Sequence, residues 1–317
     1  MAFTVAWNLA GKMTRLIDGQ ILKSLKNNVY FMAPAKRMSA TRSGTYTVNV
    51  FTRIKYTVAS LTLTDGVEAW EANVNTLASI DFTPVEYGLV TRVTRLSLLQ
   101  NSSGSQLLSD VAEEAMYTMA RCMDDVVQTT LCAGAGTTLY AGGTNRATIP
   151  AGVTGQLTAT QFSRIQALFG KKAANGKDKF VIVDENVAHD LRIETASSNF
   201  TVLASKLYVT PDNAAANGEI GKISGFRIII AGSVNILTAT GWVGGVQTIY
   251  PTFFVVKDAY AVADWEKIET NIVTESDHTN VNKRYMSVGS YVAFGAKVIR
   301  PEHICVIESN ASVNFAE

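Results

Sequence analysis

His189, set in DENVAHDLR beside Asp190 and close to Asp184 and Glu185, is the group in this chain best placed for acid–base work or for holding a metal. A metal needs ligands that converge from one face, and His189 has no second His or Cys at helical spacing, so a surface helical histidine is predicted. His278, in ESDHTN, reads as a loop residue, and His303, after Arg300-Pro301-Glu302, introduces the last strand. Glu113-Glu114 and Asp124-Asp125 are paired carboxylates, but adjacent helical positions point about 100° apart, which predicts solvated or subunit-facing charge and no catalytic dyad. Ser233, in AGSVN, lacks the second glycine of a nucleophile elbow. Cys122 reads as a small core residue. Together with Cys132 and Cys305 it is too scattered for a disulfide framework or a zinc site, as suits a protein made in a reducing cytoplasm. Gly134, Gly136, Gly142 and Gly143 match neither the dinucleotide nor the P-loop spacing, and no Lys-Ser or Lys-Thr follows, so a plain connector is predicted there. No catalytic residue, cofactor or metal is expected, and the chain is not read as an enzyme.

The elements that carry these groups are plainer. In Ser105 to Leu131, Leu108, Ala112, Ala115, Met119, Cys122 and Val126 recur at three- and four-residue spacing while Glu113, Glu114, Arg121 and Asp125 fall elsewhere. One long amphipathic helix of roughly 40 Å follows. Ser105, Ser109 or Asp110 can cap its start, and Gly134 and Gly136 stand past its end. Residues 1 to 40 carry a weaker helical signal, with Met13, Leu16, Ile17, Ile21 and Leu25 on one side and Lys12, Arg15, Lys23 and Lys26 around the other. That segment reads as an ordinary surface helix or as an arm lying on a neighbouring subunit or facing enclosed nucleic acid.

From Thr45 the pattern turns to strand, rich in Thr, Val, Ile, Tyr and Phe, until the turn dipeptide Asp65-Gly66. A second strand-like stretch runs from Ser79 through FTPVEYGLVTRVTRL, so a long two-stranded excursion is predicted with its tip near Asp65 to Trp70. An isolated hairpin is barely stable in water. The nearby sequence offers little core to support it, and a second copy of the chain is expected to supply the platform.

Residues 154 to 250 read as an α/β unit. Thr158 and Gln161 resemble a capping box opening a helix with Phe162, Ile165 and Phe169 inward and Gly176 at its exit. Phe180 to Val183 is a buried strand, Asn186 to Glu194 a helix on Val187 and Leu191, and Phe226 to Ala231 another strand. Thr252 to Ser309 is strand-dominated. There Val288, Val292, Phe294, Ala296 and Val298 share one face while Gly289, Ala293 and Gly295 keep the other flat, a face predicted to lie against the long helix. The end of the chain then packs on that helix, with the 154 to 250 unit inserted.

The 317 residues can bury a sizeable core, and a charged fraction of 17% suits a surface largely covered by partners. The net charge of +1 excludes a wholesale polyanion binder. It is uneven: residues 1 to 45 hold seven Lys and Arg against Asp18, about +6, leaving about −5 for the rest. No run approaches the length that spans a bilayer, and no targeting signal is visible.

In order along the chain stand the basic arm, the long hairpin, Glu86-Tyr87-Gly88, ARCMDDVV in the long helix, YAGG after it, VIVDENVAHDLR, NGEIGKISGFRIIIA, FFVVKDAYAVAD and VGSYVAFGAKVIRPEHICVIES. This series, over residues 40 to 310, resembles the major capsid proteins of tailed bacteriophages, in the group related to the phage N-four head protein. The resemblance implies an α+β, HK-ninety-seven-like fold: an N-terminal arm (1–40), an extended β-hairpin E-loop with flanking strands (41–95), a peripheral domain in two parts (96–153, with spine helix 105–131, and 251–317) and an axial domain (154–250). It also implies a structural shell subunit of an icosahedral or prolate head, assembled in the host cytoplasm as homo-pentamers and homo-hexamers around packaged dsDNA and meeting portal, scaffolding or decoration proteins, with no membrane partner. Asp65, Gly66, Trp70, Tyr46 and Phe51 are the expected subunit-interface residues. Lys12, Arg15, Lys23 and Lys26 are the expected lumen-facing, DNA-neutralising ones. Some relatives cross-link a lysine to an asparagine; Lys55 lies in the loop, with no asparagine assignable to it. The chain starts almost at the arm, so no scaffolding extension is expected. An encapsulin-type compartment shell and an α/β enzyme using the glycine loops are the alternatives.

Overall fold

The computed structural model describes residues 30–39, 45–51, 77–95, 104–172, 174, 177–197, 219–232, 237–242, 245–273 and 284–312. The amphipathic spacing is realised as α1 (Gly104–Gly134), 31 residues long. Its buried stripe runs Leu108, Ala112, Met116, Met119, Met123, Val127 and Leu131. Past Met119 this stripe is displaced by one residue from the expected one, leaving Cys122 and Val126 half-buried. The displacement follows from what the helix crosses. Leu108, Ala112 and Met116 pack with Val93 and Val288. Met119 to Leu131 belong to a different cluster with Phe31, Phe253, Tyr260 and Phe294.

The face α1 covers belongs to a four-stranded sheet ordered β1 (Lys36–Ser39), β11 (Tyr260–Val273), β12 (Tyr285–Val298) and β4 (Val85–Thr94). β11, β12 and β4 are antiparallel neighbours, and β1 runs parallel to β11. Val288, Val292 and Phe294 of β12 are buried, as alternation requires. The helix rests on this valine face, not on the flat one as expected. A Cβ on Gly295 of the flat face would stand 2.6 Å from Thr83 O and 3.3 Å from Trp265, so glycine there admits the chain corner before β4. That corner, Thr83-Pro84, splits the single strand expected from Ser79 onward: β3 (Leu77–Phe82) pairs with β2 (Tyr46–Phe51), while β4 turns into the other sheet. Proline has no amide to donate and suits the break.

The second sheet has seven strands: β5 (Thr137–Tyr140), β13 (Ile304–Ser309), β10 (Gly245–Val256), β6 (Lys179–Asp184), β8 (Phe226–Ala231) and β7 (Glu219–Ile223), with β9 (Leu237–Trp242) on β10. Every residue of β6 is buried, because both faces are covered. Phe180 and Ile182 enter the α1 cluster. Val181 and Val183 face α2 (Ala159–Lys171) and α3 (Glu185–Ser197) through Phe162, Ile165, Phe169, Val187 and Leu191. The capping box at α2 forms, with Gln161 Oε1 accepting from the Thr158 amide at 3.0 Å. Gly176 lies outside the described residues.

Two boundaries differ from expectation. The 154–250 unit does not stand alone, since β10 runs through residue 250 and is flanked by β13. The arm boundary at residue 40 falls inside the body: Phe31 is 0% and Met32 5% exposed, and β1 is a sheet strand. Burying those side chains stabilises more than leaving them in water, which ties residues 30–39 to the core.

Candidate functional site

The polar residues that invited a chemical reading are dispersed. His189 is partly exposed, with Nδ1 3.5 Å from Asp190 Oδ1. Asp190 in turn accepts the Ser312 amide at 2.7 Å and the Ser312 hydroxyl, so its carboxylate anchors the chain just past the last strand. His303 is buried, its Nε2 3.1 Å from Lys172 O. His278 and Ser233 lie outside the described residues. Among the described residues no His, Cys, Asp and Glu cluster is arranged to hold a metal, and no helix is long and apolar enough to cross a membrane. Burial raises the thiol pKa of Cys122, pushes that of Cys132 to about 11 and that of Cys305 to about 12, the opposite of what a nucleophile needs.

Asp124 departs most from the sequence reading. Expected as solvated or subunit-facing charge, it is 4% exposed, on the inner side of α1 with Ala120 and Gln128 one turn either way. Its Oδ2 accepts the Tyr30 amide at 3.0 Å, and Tyr260 donates its hydroxyl to Phe31 O. Spine helix and sheet thus clamp the chain where it enters the body. Asp124 Oδ1 is buried and lacks a hydrogen-bond partner among the described residues. Desolvation raises the carboxyl pKa to about 7, against the opposing pull of the Tyr30 and Phe31 amides. A carboxyl whose folded pKa lies above its unfolded one contributes stability that is complete below the unfolded value and lost as pH rises through about 7. Asp124→Asn should therefore flatten the fall in stability between pH 4 and 7, a difference of roughly 4 kcal/mol at most. Urea midpoints at pH 5 and pH 8 check this, and an unchanged pH slope would exclude the carboxyl as its source. The i+4 run Ala120, Asp124, Gln128 was the available signal, masked by the neighbouring Asp125.

The expected assembly residues divide by location. Asp65, Gly66 and Trp70, expected at the hairpin tip, Lys55, and the cations Lys12, Arg15, Lys23 and Lys26 lie outside the described residues. Tyr46 and Phe51 are the first and last residues of β2, opposite Phe82 and Leu77. Tyr46 is half-buried, its ring 6.5 Å from that of Phe82. The other face of the foot is polar and exposed, where Thr47 Oγ1 donates to Asp81 Oδ1 at 2.7 Å. The expectation that the chain gives this hairpin no platform is corrected at its foot: Tyr46, Val48, Ile80 and Phe82 pack with Met38, Ala261 and Ala263 of the same body. The short β1, unrecognised in the sequence, supplies Met38.

The glycine-rich connector after α1 serves packing. Within it Arg146 meets the buried Glu308 through two contacts, Nε to Oε2 at 2.6 Å and Nη2 to Oε1 at 2.7 Å. The Asn310 side-chain amide donates to Pro150 O at 2.8 Å and Gly152 O at 3.2 Å, and its backbone amide to Gly155 O at 2.9 Å. Loop and last strand are thereby fastened together.

A sequence model of the family described as phage capsid protein matches residues 76–307, about three quarters of the chain. No curated protein matches. Among solved structures, the chain is similar to the capsid of Ralstonia phage GP4, with TM-score 0.68 and 14% identity over 92% of this chain and 93% of that one. It is similar to the capsid of cyanophage P-SCSP1u at TM-score 0.64 and 12% identity, covering 90% and 89%. It is also similar to the acidic stable capsid structure of Helicobacter pylori bacteriophage KHP30 at TM-score 0.59 and 12% identity, covering 87% and 88%. At these identities the likeness establishes the fold, in which strands and helices follow one another as they do here.

Proposed function

The chain belongs to the phage capsid protein family, and from that membership we propose that it is the repeating subunit of a phage head, closing into five- and six-membered rings around double-stranded DNA. Its work is structural, done at surfaces between copies. The single observation that carries this reading is the family match over residues 76–307, together with a fold shared along nearly the whole chain with phage capsids. The hairpin fits the reading. The strands β2 and β3 form a foot anchored on the body, and in the proposed reading the sequence between them, residues 52–76, reaches a neighbour. In the proposed division, the seven-stranded sheet with α2 and α3 forms the axial part and the four-stranded sheet with α1 the peripheral part. Each contact is weak and many act together, so closure supplies the stability. Scaffolding, decoration and portal proteins would meet the same shell, assembled in the host cytoplasm.

Particles purified from the native source test this directly. Packaged DNA supports a phage head; a protein cargo without DNA supports the encapsulin-type alternative. The arm has its own test. Replacing Lys12, Arg15, Lys23 and Lys26 together by Gln removes four of the seven cations in residues 1–45 and should lower the yield of DNA-filled particles while empty shells form normally. Undiminished filling would remove the arm from DNA neutralisation.

A further inference from the structure

β4 is an outer strand of the four-stranded sheet, with β12 on one side and no described strand on the other. Arg95 donates its amide to Arg284 O at 2.7 Å, continuing the register in which Thr94 faces Tyr285 and Val85 faces Phe294. Opposed residues of an antiparallel pair alternate between bonded and non-bonded, so the odd-numbered residues of β4 turn their amides and carbonyls toward β12. Glu86, Gly88, Val90 and Arg92 turn theirs outward. These four are also exposed, Val90 at 66%. A long, regular edge without an internal proline or lysine is a ready template for another strand. By contrast the opposite edge, β1, is four residues long and carries Lys36 and Arg37.

We infer that β4 pairs antiparallel with β4 of a second copy, across a two-fold axis at Leu89. The sequence of the strand selects this occupant because it is complementary to itself in one register. About that axis Glu86 stands opposite Arg92 of the partner subunit and Gly88 opposite Val90 of the partner subunit, each pair occurring twice. The outward-facing residues of one strand then meet those of the other, as hydrogen bonding requires. Moving the axis one residue toward the N-terminus sets Gly88 against itself and Arg92 against Pro84, which has no amide to donate. Moving it one residue the other way sets Arg92 against glycine and Val90 against itself. Only the Leu89 register gives both charges a partner and seats the exposed valine over the glycine. Tyr87, whose ring lies 5.2 Å from that of Phe294, and Leu89, packed on the α1 cluster, hold the strand flat from behind. Arg92 lies 4.9 Å over the Tyr285 ring, with its backbone on the open edge. The contact goes beyond the capsid reading, which needs many copies but no particular strand pairing.

Arg92→Lys in the full chain places an amine opposite Glu86 of the partner subunit, and a zero-length carbodiimide should join the two positions. Within one chain they are six residues apart on an extended strand, about 20 Å, so the bond must be intermolecular. A dimer band carrying the 86–92 cross-linked peptide is expected, and its loss on adding Glu86→Gln. Glu86→Arg and Arg92→Glu, each alone, should weaken self-association in sedimentation by roughly tenfold, and the two together should restore it. Absence of the cross-link, or a double variant no better than the singles, would overturn the pairing. Shells that form without the cross-link would sink this contact and leave the capsid reading standing; cross-linked dimers that never progress to shells would do the reverse.

Discussion

Replacing residues 52–76 by an Asn-Gly turn should leave a folded subunit that no longer builds closed shells. Phe51 and Leu77 are the last pair of β2 and β3 among the described residues, and a two-residue turn suits such an antiparallel pair. The foot keeps its own anchorage, Phe82 at 0% exposure against Met38, Ala261 and Ala263. The melting temperature is therefore expected within a few degrees of the parent, because the described packing partners of the foot lie outside the removed segment. Shell yield by gradient sedimentation is expected to fall to background. Closed shells at parental yield would show that the long excursion is dispensable for assembly. A variant that fails to melt cooperatively would show that residues 52–76 complete the subunit's own fold.

Gly155→Ala should be severely damaging. A Cβ there would stand 2.0 Å from Pro150 O and 2.8 Å from Asn310 Nδ2, two groups that bond to each other. No side chain can rotate clear, since Pro150 O is backbone. The clasp between connector and last strand has to open, exposing the buried Glu308 and Ser309 beside it. A loss of about 3 kcal/mol or more is expected. Gly232→Ala is the control: nothing among the described residues lies within 4 Å of its added Cβ and its φ is not positive, so it should be neutral. Equal denaturation midpoints for the two variants would mean that the connector is not held this closely.

Much of the fold was legible because its signals are local. The period of α1, the Thr158–Gln161 cap, and the apolar runs Phe180 to Val183 and Phe226 to Ala231 each declare an element within a few residues. What the sequence concealed depends on pairing across long separations. β1 is four residues with two cations and becomes a strand only because Ala261 to Asp264 lies beside it. β13 joins the sheet of β6 and β10, a pairing no local signal announced, while its Ile304 and Val306 also reach the spine-helix cluster. Asp124 looks like half of a charged surface pair, and only the return of Tyr30 to the helix explains its burial. The assembly residues follow from resemblance, with no local signal for a contact. Of these, Tyr46 and Phe51 stand on the described foot, and for Tyr46 that foot supplies an intramolecular partner as well, Phe82.

Electron microscopy of the expressed full chain at micromolar concentration tests the central claim most directly. Closed shells, or rings of five and six subunits, are the expected result. A uniform field of single subunits, matched by a sharp monomer boundary in sedimentation, would contradict it.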